Sequence, residues 1–128
     1  MSQKIMLIDD AEIANIIMKK LITFLLIDVE IFDYTNPDEA YEAMQTIKPN
    51  LIFLDLNMPW LNGWEYLEKM KKDGYNYRVI IVSSSTSYID KERCAEFSNI
   101  IDYFEKPVSK EQILKYLNAS AEHNFISS

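Results

Sequence analysis

The sequence predicts an α/β fold: a doubly wound parallel sheet of five strands with helices on both faces. Five short apolar runs recur along the 128 residues, and segments with helical spacing of apolar residues separate them. Strands that alternate with helices form parallel sheets, because each helix returns the chain to the same edge of the sheet. The five runs are KIMLI, DVEIFDY, LIFL, RVIIV and IIDYF.

The first helix is predicted directly after the first strand, where apolar residues recur at helical spacing. The expected buried stripe consists of Ile13, Ile16, Ile17, Leu21 and Phe24. The residues expected on the solvent side are Glu12, Asn15, Lys19, Lys20 and Thr23. This segment is therefore predicted to be an amphipathic helix that packs on the sheet.

The second helix has a clear start signal, and the third a weaker one. Asn36 is a capping residue, Pro37 suits the first helical position, and Glu39 follows three residues after the cap. The expected buried stripe of the second helix is Ala40, Ala43, Met44 and Ile47. The third helix is predicted to begin at Asn62 or Gly63 and to bury Trp64, Leu67 and Met70.

The last two helices follow polar segments. The serine cluster SSSTS is predicted to be a loop that caps a short helical segment from about 88 to 97. Ser109 then caps a final helix, with Gln112 three residues further on. Its expected buried residues are Ile113, Leu117 and Tyr116.

Composition limits the class of protein. The 128 residues have the size of one domain, with a core from about 4 to 120 and a weakly ordered tail over 121–128 that includes a solvated His123. The net charge of −7 argues against nucleic acid or an anionic membrane as a partner. The apolar run at the start is too short for a signal peptide, and the single Cys94 fits a reducing compartment. We therefore expect a cytoplasmic protein.

Polar and charged residues stand at the ends of four of the predicted strands. They are Asp9 and Asp10 after the first strand, Asp55 after the third, Ser83 at the end of the fourth and Lys106 after the fifth. The carboxyl ends of parallel strands meet at one edge of the sheet, and ligands bind in the crevice there. We therefore expect these five side chains to share one site.

This set of residues indicates a metal ion and a phosphoryl group. Three carboxylates at contact distance raise one another's pKa or require a cation. Oxygen ligands without Cys or His favour a hard ion, of which Mg²⁺ fits best and Mn²⁺ is the alternative. Lys106 and Ser83 add a positive charge and a hydroxyl donor, which are groups that bind the oxygens of a transferring phosphoryl group. Asp55 is then the expected nucleophile, forming an acyl phosphate.

In combination, four segments resemble the receiver domain of two-component response regulators. They are the acid pair at 9 and 10, DLNMPWLNG from 55 to 63, the serine at 83 and YFEKP from 103 to 107. The resemblance covers almost the whole chain. It implies a flavodoxin-like sheet with the strand order 2-1-3-4-5 and five helices.

The same resemblance implies roles for the matching residues. Asp55 resembles the phosphoacceptor. The implied metal ligands are the carboxylates of Asp9, Asp10 and Asp55 and the backbone carbonyl of Asn57. Lys106 and Ser83 resemble the groups that contact the phosphoryl group, and the bond from Lys106 to Pro107 is commonly cis in such domains.

Signalling partners are implied by the resemblance as well. The donor is expected to be a sensor histidine kinase or a histidine phosphotransfer protein, and the output a downstream protein target. Ser83 and Tyr103 resemble the switch pair that changes the surface formed by the fourth helix, the fifth strand and the fifth helix. A homodimer through this output face is a further expectation. Trp60 is either part of the core cover or an exposed partner contact.

Other functions are considered beside the switch. The chain is not expected to be an enzyme beyond assisting its own phosphorylation and dephosphorylation. An Mg²⁺-dependent aspartyl-phosphate phosphatase usually has a second acid two residues after its nucleophile, where this chain has Asn57. A non-phosphorylated interaction module has no need of the intact polar set. A flavin binder of this fold is disfavoured, because acids after the first strand repel a cofactor phosphate.

Overall fold

The computed structural model describes residues 3–26, 28–59, 61–85 and 87–117. The strands are β1 (Gln3–Ile8), β2 (Val29–Tyr34), β3 (Leu51–Asp55), β4 (Val79–Ser83) and β5 (Ile100–Glu105). The helices are α1 (Glu12–Leu25), α2 (Pro37–Ile47), α3 (Gly63–Lys72), α4 (Tyr88–Arg93) and α5, which is helical over 110–117. A 3₁₀ turn (Cys94–Glu96) follows α4, so the fourth helix is shorter than predicted.

All five strands are parallel and form one sheet with the order β2-β1-β3-β4-β5. This is the flavodoxin-like order that the resemblance implies, and it is confirmed. Every residue of β3 and β4 is buried, because helices cover both faces of a parallel sheet. Asp55 is paired with Val82, and Ser83 with Glu105, so the carboxyl ends of β3, β4 and β5 lie at the same edge.

Two hydrophobic clusters lie on opposite faces of the sheet. The first packs α1 and α5 onto the strands and contains Ile22 and Ile113. The second packs α2 and α3 and contains Leu67. Successive strand residues alternate between the clusters, as Leu7 and Ile8 do, because side chains in a strand point to alternate faces.

The predicted caps of α2 and α5 are confirmed. The Oδ1 atom of Asn36 accepts hydrogen bonds from the backbone N–H groups of Asp38 and Glu39 at 2.9 and 3.3 Å. The Ser109 hydroxyl accepts from the Gln112 N–H at 3.2 Å, and the Gln112 side chain accepts from the Ser109 N–H at 3.0 Å. These bonds satisfy N–H groups that have no partner inside the helix.

Helix α3 begins at Gly63, next to the loop that leaves β3. The Asn62 side chain caps it by accepting from the Trp64 N–H at 3.0 Å. A Cβ atom at Gly63 would lie only 2.5 Å from Leu56 Cδ2 and 3.3 Å from Leu56 Cα. Glycine therefore allows the helix to start in close contact with the loop that follows Asp55.

The buried stripes predicted for three helices are confirmed. The buried members are Ala40, Met44 and Ile47 in α2, Trp64, Leu67 and Met70 in α3, and Ile113 and Leu117 in α5. Ala43 and Tyr116 are partly buried against the same clusters. The predictions for Trp60, His123 and the tail over 121–128 fall on residues outside the described ranges.

The buried stripe predicted for α1 is wrong for four of its five members. The exposed fraction is 64% for Ile13, 37% for Ile16, 61% for Ile17 and 85% for Phe24. Leu21 is partly buried against the core cluster. Helix α1 therefore turns one apolar side toward solvent.

The rotation of helix α1 is caused by Asn15, which the sequence pattern assigns to the solvent side. Its side chain is buried, and its amide group donates to the backbone carbonyls of Asp9 at 3.2 Å and Tyr34 at 3.1 Å. These carbonyls lie where β1 and β2 end, and a buried carbonyl requires a donor. Helix α1 therefore faces the sheet with Asn15, Met18 and Ile22, and the predicted stripe rotates outward.

Within the described residues, no helix combines the length and the apolar character that crossing a bilayer requires.

Candidate functional site

Three aspartates meet at the carboxyl edge of the sheet, where the strand order reverses between β1 and β3. Asp9 and Asp10 follow β1, Asp55 ends β3, and a carboxylate oxygen from each lies within 4.8 Å of the others. Asp9 and Asp55 are only 7% and 4% exposed, and Asp10 is half-buried. The structure thus brings together the acids that the strand pattern predicts to converge, and we call them the acid cluster.

The two buried aspartates are held in the same way by backbone N–H groups. The Ala11 N–H donates to Asp9 Oδ1 at 2.9 Å, and the Asn57 N–H donates to Asp55 Oδ1 at 3.0 Å. In both cases the donor lies two residues after the aspartate, which is the geometry of an Asx turn. One oxygen of each carboxylate is thereby fixed, and the other faces Lys106.

Lys106 supplies positive charge to the acid cluster. Its Nζ atom lies 2.8 Å from Asp9 Oδ2 and 3.5 Å from Asp55 Oδ2. Its backbone N–H donates to the Ser83 carbonyl at 2.8 Å, and its peptide bond to Pro107 is cis, the isomer that the resemblance implies. One ammonium against three carboxylates leaves two negative charges uncompensated when all the acids are ionised.

The electrostatics of the site favour an additional cation. Burial raises the pKa of the Asp55 carboxyl; the Asn57 N–H bond and Lys106 oppose this, the Asp9 charge adds to it, and the net shift is upward. Burial lowers the pKa of Lys106, but the hydrogen bond to Asp9 and the charges of both carboxylates outweigh it and raise the pKa. Lys106 is therefore charged at neutral pH, while Asp55 bears a buried charge at a free-energy cost.

Ser83 ends β4, and its buried side chain contacts the loop that follows Asp55. Its hydroxyl donates to Asn57 Oδ1 at 2.6 Å and accepts from the Ser85 N–H at 3.0 Å. For Asn57 the resemblance implies a metal-ligating backbone carbonyl and a position that tunes the phosphoryl lifetime in the family, but it does not predict the hydrogen bond between its side chain and Ser83. Its position two residues after a strand-end aspartate is a weak signal, because it does not reveal the partner on β4.

Tyr103 is half-buried on β5 and is anchored to the loop between β4 and α4. Its hydroxyl donates to the Ser85 carbonyl at 3.0 Å. Lys91 pairs with Glu105, and its Nζ atom lies 5.7 Å from the centroid of the Tyr103 ring. Ser85 therefore links the two side chains predicted to form the switch, since it bonds to Ser83 on one side and to Tyr103 on the other.

A cavity of about 370 Å³ lies between α1 and the segment that follows β5, and it reaches the acid cluster. Asp9, Asp55 and Lys106 form its polar end, and apolar side chains such as Met18 and Phe53 line the rest. The site is therefore bordered by open space on the side of α1.

The donor set of the acid cluster fits a hard divalent cation. Among the described residues, the potential ligands that converge here are all carboxylates. Mg²⁺ prefers oxygen ligands, takes one or two carboxylates and keeps several waters. Zinc and iron sites use nitrogen or sulfur ligands more often. The side chains present therefore suit Mg²⁺ or Mn²⁺.

The chain is similar to known proteins of one family. Residues 5–118 match the family described as response regulator receiver domain. The nitrate/nitrite response regulator protein NarL of Escherichia coli is 29% identical over 124 residues, which cover 97% of this chain and 57% of NarL. The chemotaxis protein CheY of Thermotoga maritima is 25% identical over 118 residues, which cover 92% of this chain and 97% of CheY.

Solved structures of receiver domains are also similar to this chain. The receiver domain of the Francisella response regulator 1452 has a TM-score of 0.76 at 26% identity, and the match covers 96% of this chain and 99% of that one. A CheY-like receiver domain protein from Methanospirillum hungatei has a TM-score of 0.76 at 21% identity over the full length of both chains, which supports the fold alone. The chain spans about half the length of the first curated relatives it matches, at 57% of NarL and 44% of the DNA-binding transcriptional activator EvgA.

The family match covers most of the chain, and the strand order is that of the CheY-like receiver folds among the solved structures. The chain therefore belongs to the response regulator receiver domains, the phosphoacceptor switches of two-component systems.

Proposed function

We propose that this chain accepts a phosphoryl group on Asp55, with Mg²⁺ at the acid cluster, within a receiver domain over about residues 4–120. The observation that supports this most strongly is the convergence of three carboxylates within 4.8 Å, with Lys106 at 2.8 Å from one and 3.5 Å from another. Receiver domains work with histidine kinases or phosphotransfer proteins and with downstream targets. A phosphohistidine on such a protein is the donor that we assign to this chain.

Asp55 is the nucleophile in this proposal. Its Oδ1 atom is engaged by the Asn57 N–H at 3.0 Å, so Oδ2 is the oxygen that attacks phosphorus. The bond between phosphorus and the histidine nitrogen breaks as the bond to Asp55 forms, and the imidazole leaves after taking a proton from solvent. Such a transfer needs little covalent help from the protein, and positioning and charge stabilisation dominate it.

The remaining polar groups stabilise the transferring phosphoryl group. The acid cluster and the Asn57 backbone carbonyl would hold Mg²⁺, or Mn²⁺ in its place, which would supply charge neutralisation for the phosphoryl oxygens. Lys106 is already charged and lies 3.5 Å from Asp55 Oδ2. Ser83 donates its hydroxyl to a phosphoryl oxygen once the acyl phosphate has formed. Preorganised donors of this kind act at the point where charge develops.

The output of the switch is a change in the surface formed by α4, β5 and α5. Moving Ser83 toward the phosphoryl group disturbs Ser85, whose carbonyl accepts from the Tyr103 hydroxyl. Tyr88 and Ile89 of α4 are 72% and 73% exposed, so α4 presents apolar side chains to solvent. A downstream protein target, or a second copy of the chain, is the partner that we assign to this surface.

The alternatives have weaker support. An Mg²⁺-dependent aspartyl-phosphate phosphatase needs a general acid near its nucleophile, but the Asn57 side chain accepts hydrogen bonds from Ser83 and Ser84 and is not an acid. We infer that the chain promotes only its own phosphorylation and dephosphorylation. A module that is never phosphorylated has no need for the acid cluster and Lys106 to lie together.

One experiment separates these possibilities. The protein is incubated with acetyl phosphate, with and without Mg²⁺, and the intact mass is measured. We expect a phosphoryl adduct that requires Mg²⁺ and is absent in Asp55→Asn. Asp33→Asn is the matched control, because Asp33 lies on β2 and its side chain is 39% exposed.

Two other outcomes would assign a different function. Steady hydrolysis of unrelated phosphate esters indicates the phosphatase. Absence of any adduct in the presence of Mg²⁺ indicates the non-phosphorylated module and contradicts the proposal.

A further inference from the structure

The hydroxyl of Ser83 is committed to the Asn57 side chain in this structure. The distance from Ser83 Oγ to Asn57 Oδ1 is 2.6 Å, and Ser83 is fully buried. A serine hydroxyl has a single proton to donate. It therefore cannot donate to Asn57 and to a phosphoryl oxygen on Asp55 at the same time.

The backbone of Ser84 fixes which end of the Asn57 amide receives this bond. The Ser84 N–H donates to the same Oδ1 atom at 3.1 Å, and the Ser84 hydroxyl lies 3.4 Å from it. Because a backbone N–H can only donate, the atom that receives it is the oxygen and not the amide nitrogen. Donors from two consecutive serines therefore meet on one oxygen, which organises the start of the loop between β4 and α4.

Further hydrogen bonds connect Ser83 to α4 and β5. Ser83 Oγ accepts from the Ser85 N–H at 3.0 Å, and the Ser85 hydroxyl donates to Asp90 in the first turn of α4 at 3.3 Å. The Ser85 carbonyl accepts from the Tyr103 hydroxyl at 3.0 Å. The position of Ser83 is thereby coupled to both α4 and β5, and the group that holds Ser83 also holds the loop.

We propose that the Asn57 side chain holds Ser83 in its resting position, so that the phosphoryl group must take the Ser83 hydroxyl from Asn57 before the loop can move. This proposal rests on the proposed role of Asp55 as phosphoacceptor. Asn57 acts here as a positioning residue, because its side chain works through Ser83. Its backbone carbonyl, which is assigned to the metal, is retained when the side chain is replaced.

The hold itself is tested in the unphosphorylated protein by hydrogen exchange of individual amides, measured by NMR. In Asn57→Ala, the amides of Ser84 and Ser85 are expected to exchange about threefold to tenfold faster, the effect of losing one neutral hydrogen bond. Asn57→Asp keeps an acceptor oxygen and is expected to retain slow exchange. Unchanged exchange at both amides in Asn57→Ala would overturn the proposal.

The competition is tested with beryllofluoride, a stable stand-in for the phosphoryl group, in the presence of Mg²⁺. Asn57→Ala is expected to tighten its apparent binding about threefold to tenfold, because the Ser83 hydroxyl no longer has to leave Asn57. In a Ser83→Ala background, the same change at Asn57 is expected to have no effect. An equal effect in both backgrounds would overturn the proposal.

The two tests distinguish the proposal from the function on which it rests. If the wild-type protein binds no beryllofluoride with Mg²⁺, the assignment of Asp55 as phosphoacceptor is contradicted. The exchange rates of Ser84 and Ser85 then still decide whether Asn57 holds the loop. Ser84→Ala is the matched control in both tests, because it removes only the 3.4 Å contact and leaves the Ser83 bond intact.

Discussion

Two groups of carboxylates in the described part of this molecule have different surroundings. At the carboxyl edge of the sheet, the acid cluster shares a single lysine. Elsewhere, Asp73 accepts a hydrogen bond from the Tyr41 hydroxyl, and Asp102 accepts one from the Tyr116 hydroxyl. Each tyrosine pair contains a single carboxylate that accepts from a neutral hydroxyl, whereas the acid cluster brings three carboxylates together around one ammonium. The comparison shows that the acid cluster concentrates negative charge that a cation would neutralise, which the tyrosine pairs do not.

The pKa of the tyrosine hydroxyl is raised in both pairs. Burial, together with the bond to Asp102, raises the pKa of Tyr116 to about 12. Burial, followed by the bond to Asp73, also raises the pKa of Tyr41, whose ring lies 4.2 Å from the Lys69 ammonium. Both hydroxyls therefore remain protonated donors at neutral pH. A cation site, in contrast, gains and loses its ion with the solution.

Among the tests of this comparison, the largest effect is expected for Lys106→Ala. Without added metal, the free energy of unfolding in urea is expected to fall by about 2 kcal/mol, below the roughly 3–5 kcal/mol of fully buried pairs because the Lys106 side chain is 31% exposed. Mg²⁺ is expected to recover part of the loss. Lys115→Ala is the control, since that side chain is 66% exposed beside Asp102 and its removal should cost about 0.5 kcal/mol or less. Equal losses in both variants would remove the distinction between the two surroundings.

A stabilising change is expected for Asp55→Asn. In metal-free buffer at neutral pH, this variant should unfold with a free energy about 1 to 2 kcal/mol higher, because an uncompensated buried charge is removed. Mg²⁺ should stabilise the wild type but not the variant. Asp33→Asn, on the exposed edge of the sheet, should show neither effect. A thermal melt of each variant with and without Mg²⁺ checks the prediction.

The raised pKa of Asp55 predicts how the free energy of unfolding depends on pH. Because burial raises the pKa of Asp55, the folded protein holds this proton at a pH at which the unfolded chain has lost it. The contribution of this group to stability is full below its ordinary pKa of 3.8 and is lost as the pH rises through the raised value. The difference in unfolding free energy between Asp55→Asn and the wild type, both without metal, should therefore grow as the pH rises from 4 toward neutrality. A constant difference would contradict the raised pKa.

The smallest effect is expected at the tyrosine pairs. Tyr41→Phe should lower the free energy of unfolding by about 1 kcal/mol, the net value of one hydrogen bond. Because Asp73 is exposed and can bind water instead, the loss should not exceed this value. The effect should also be the same with and without Mg²⁺ in urea unfolding. A loss that depends on Mg²⁺ would mean that the two kinds of carboxylate are coupled.

The fold and the convergence of the acid cluster could be predicted because they depend on local patterns. Apolar runs define the strands, and side chains such as Asn36 and Ser109 mark helix starts through bonds within three residues. Parallel strands then force their carboxyl ends to one edge. A charge that directly follows a buried run, as Asp55 does, must therefore lie at that edge.

Hydrogen bonds between residues that lie far apart in the sequence could not be predicted. The helical pattern assigns Asn15 to solvent because it is polar, yet its side chain bonds to a carbonyl 19 residues away and thereby sets the rotation of α1. The Asn57 side chain finds Ser83 26 residues further on, and Tyr41 finds Asp73 32 residues further on. A helical pattern records which residues are apolar, but it does not record these partners.

We propose the acid cluster as a binding site for a divalent cation. The most direct test is a titration of the metal-free protein with Mg²⁺, followed by the NMR shifts of individual backbone amides. We predict saturable shifts centred on Asp10, Leu56 and Asn57, which are lost in Asp10→Asn and unchanged in Asp102→Asn. Shifts that do not saturate at millimolar Mg²⁺, or that persist in Asp10→Asn, would contradict the claim.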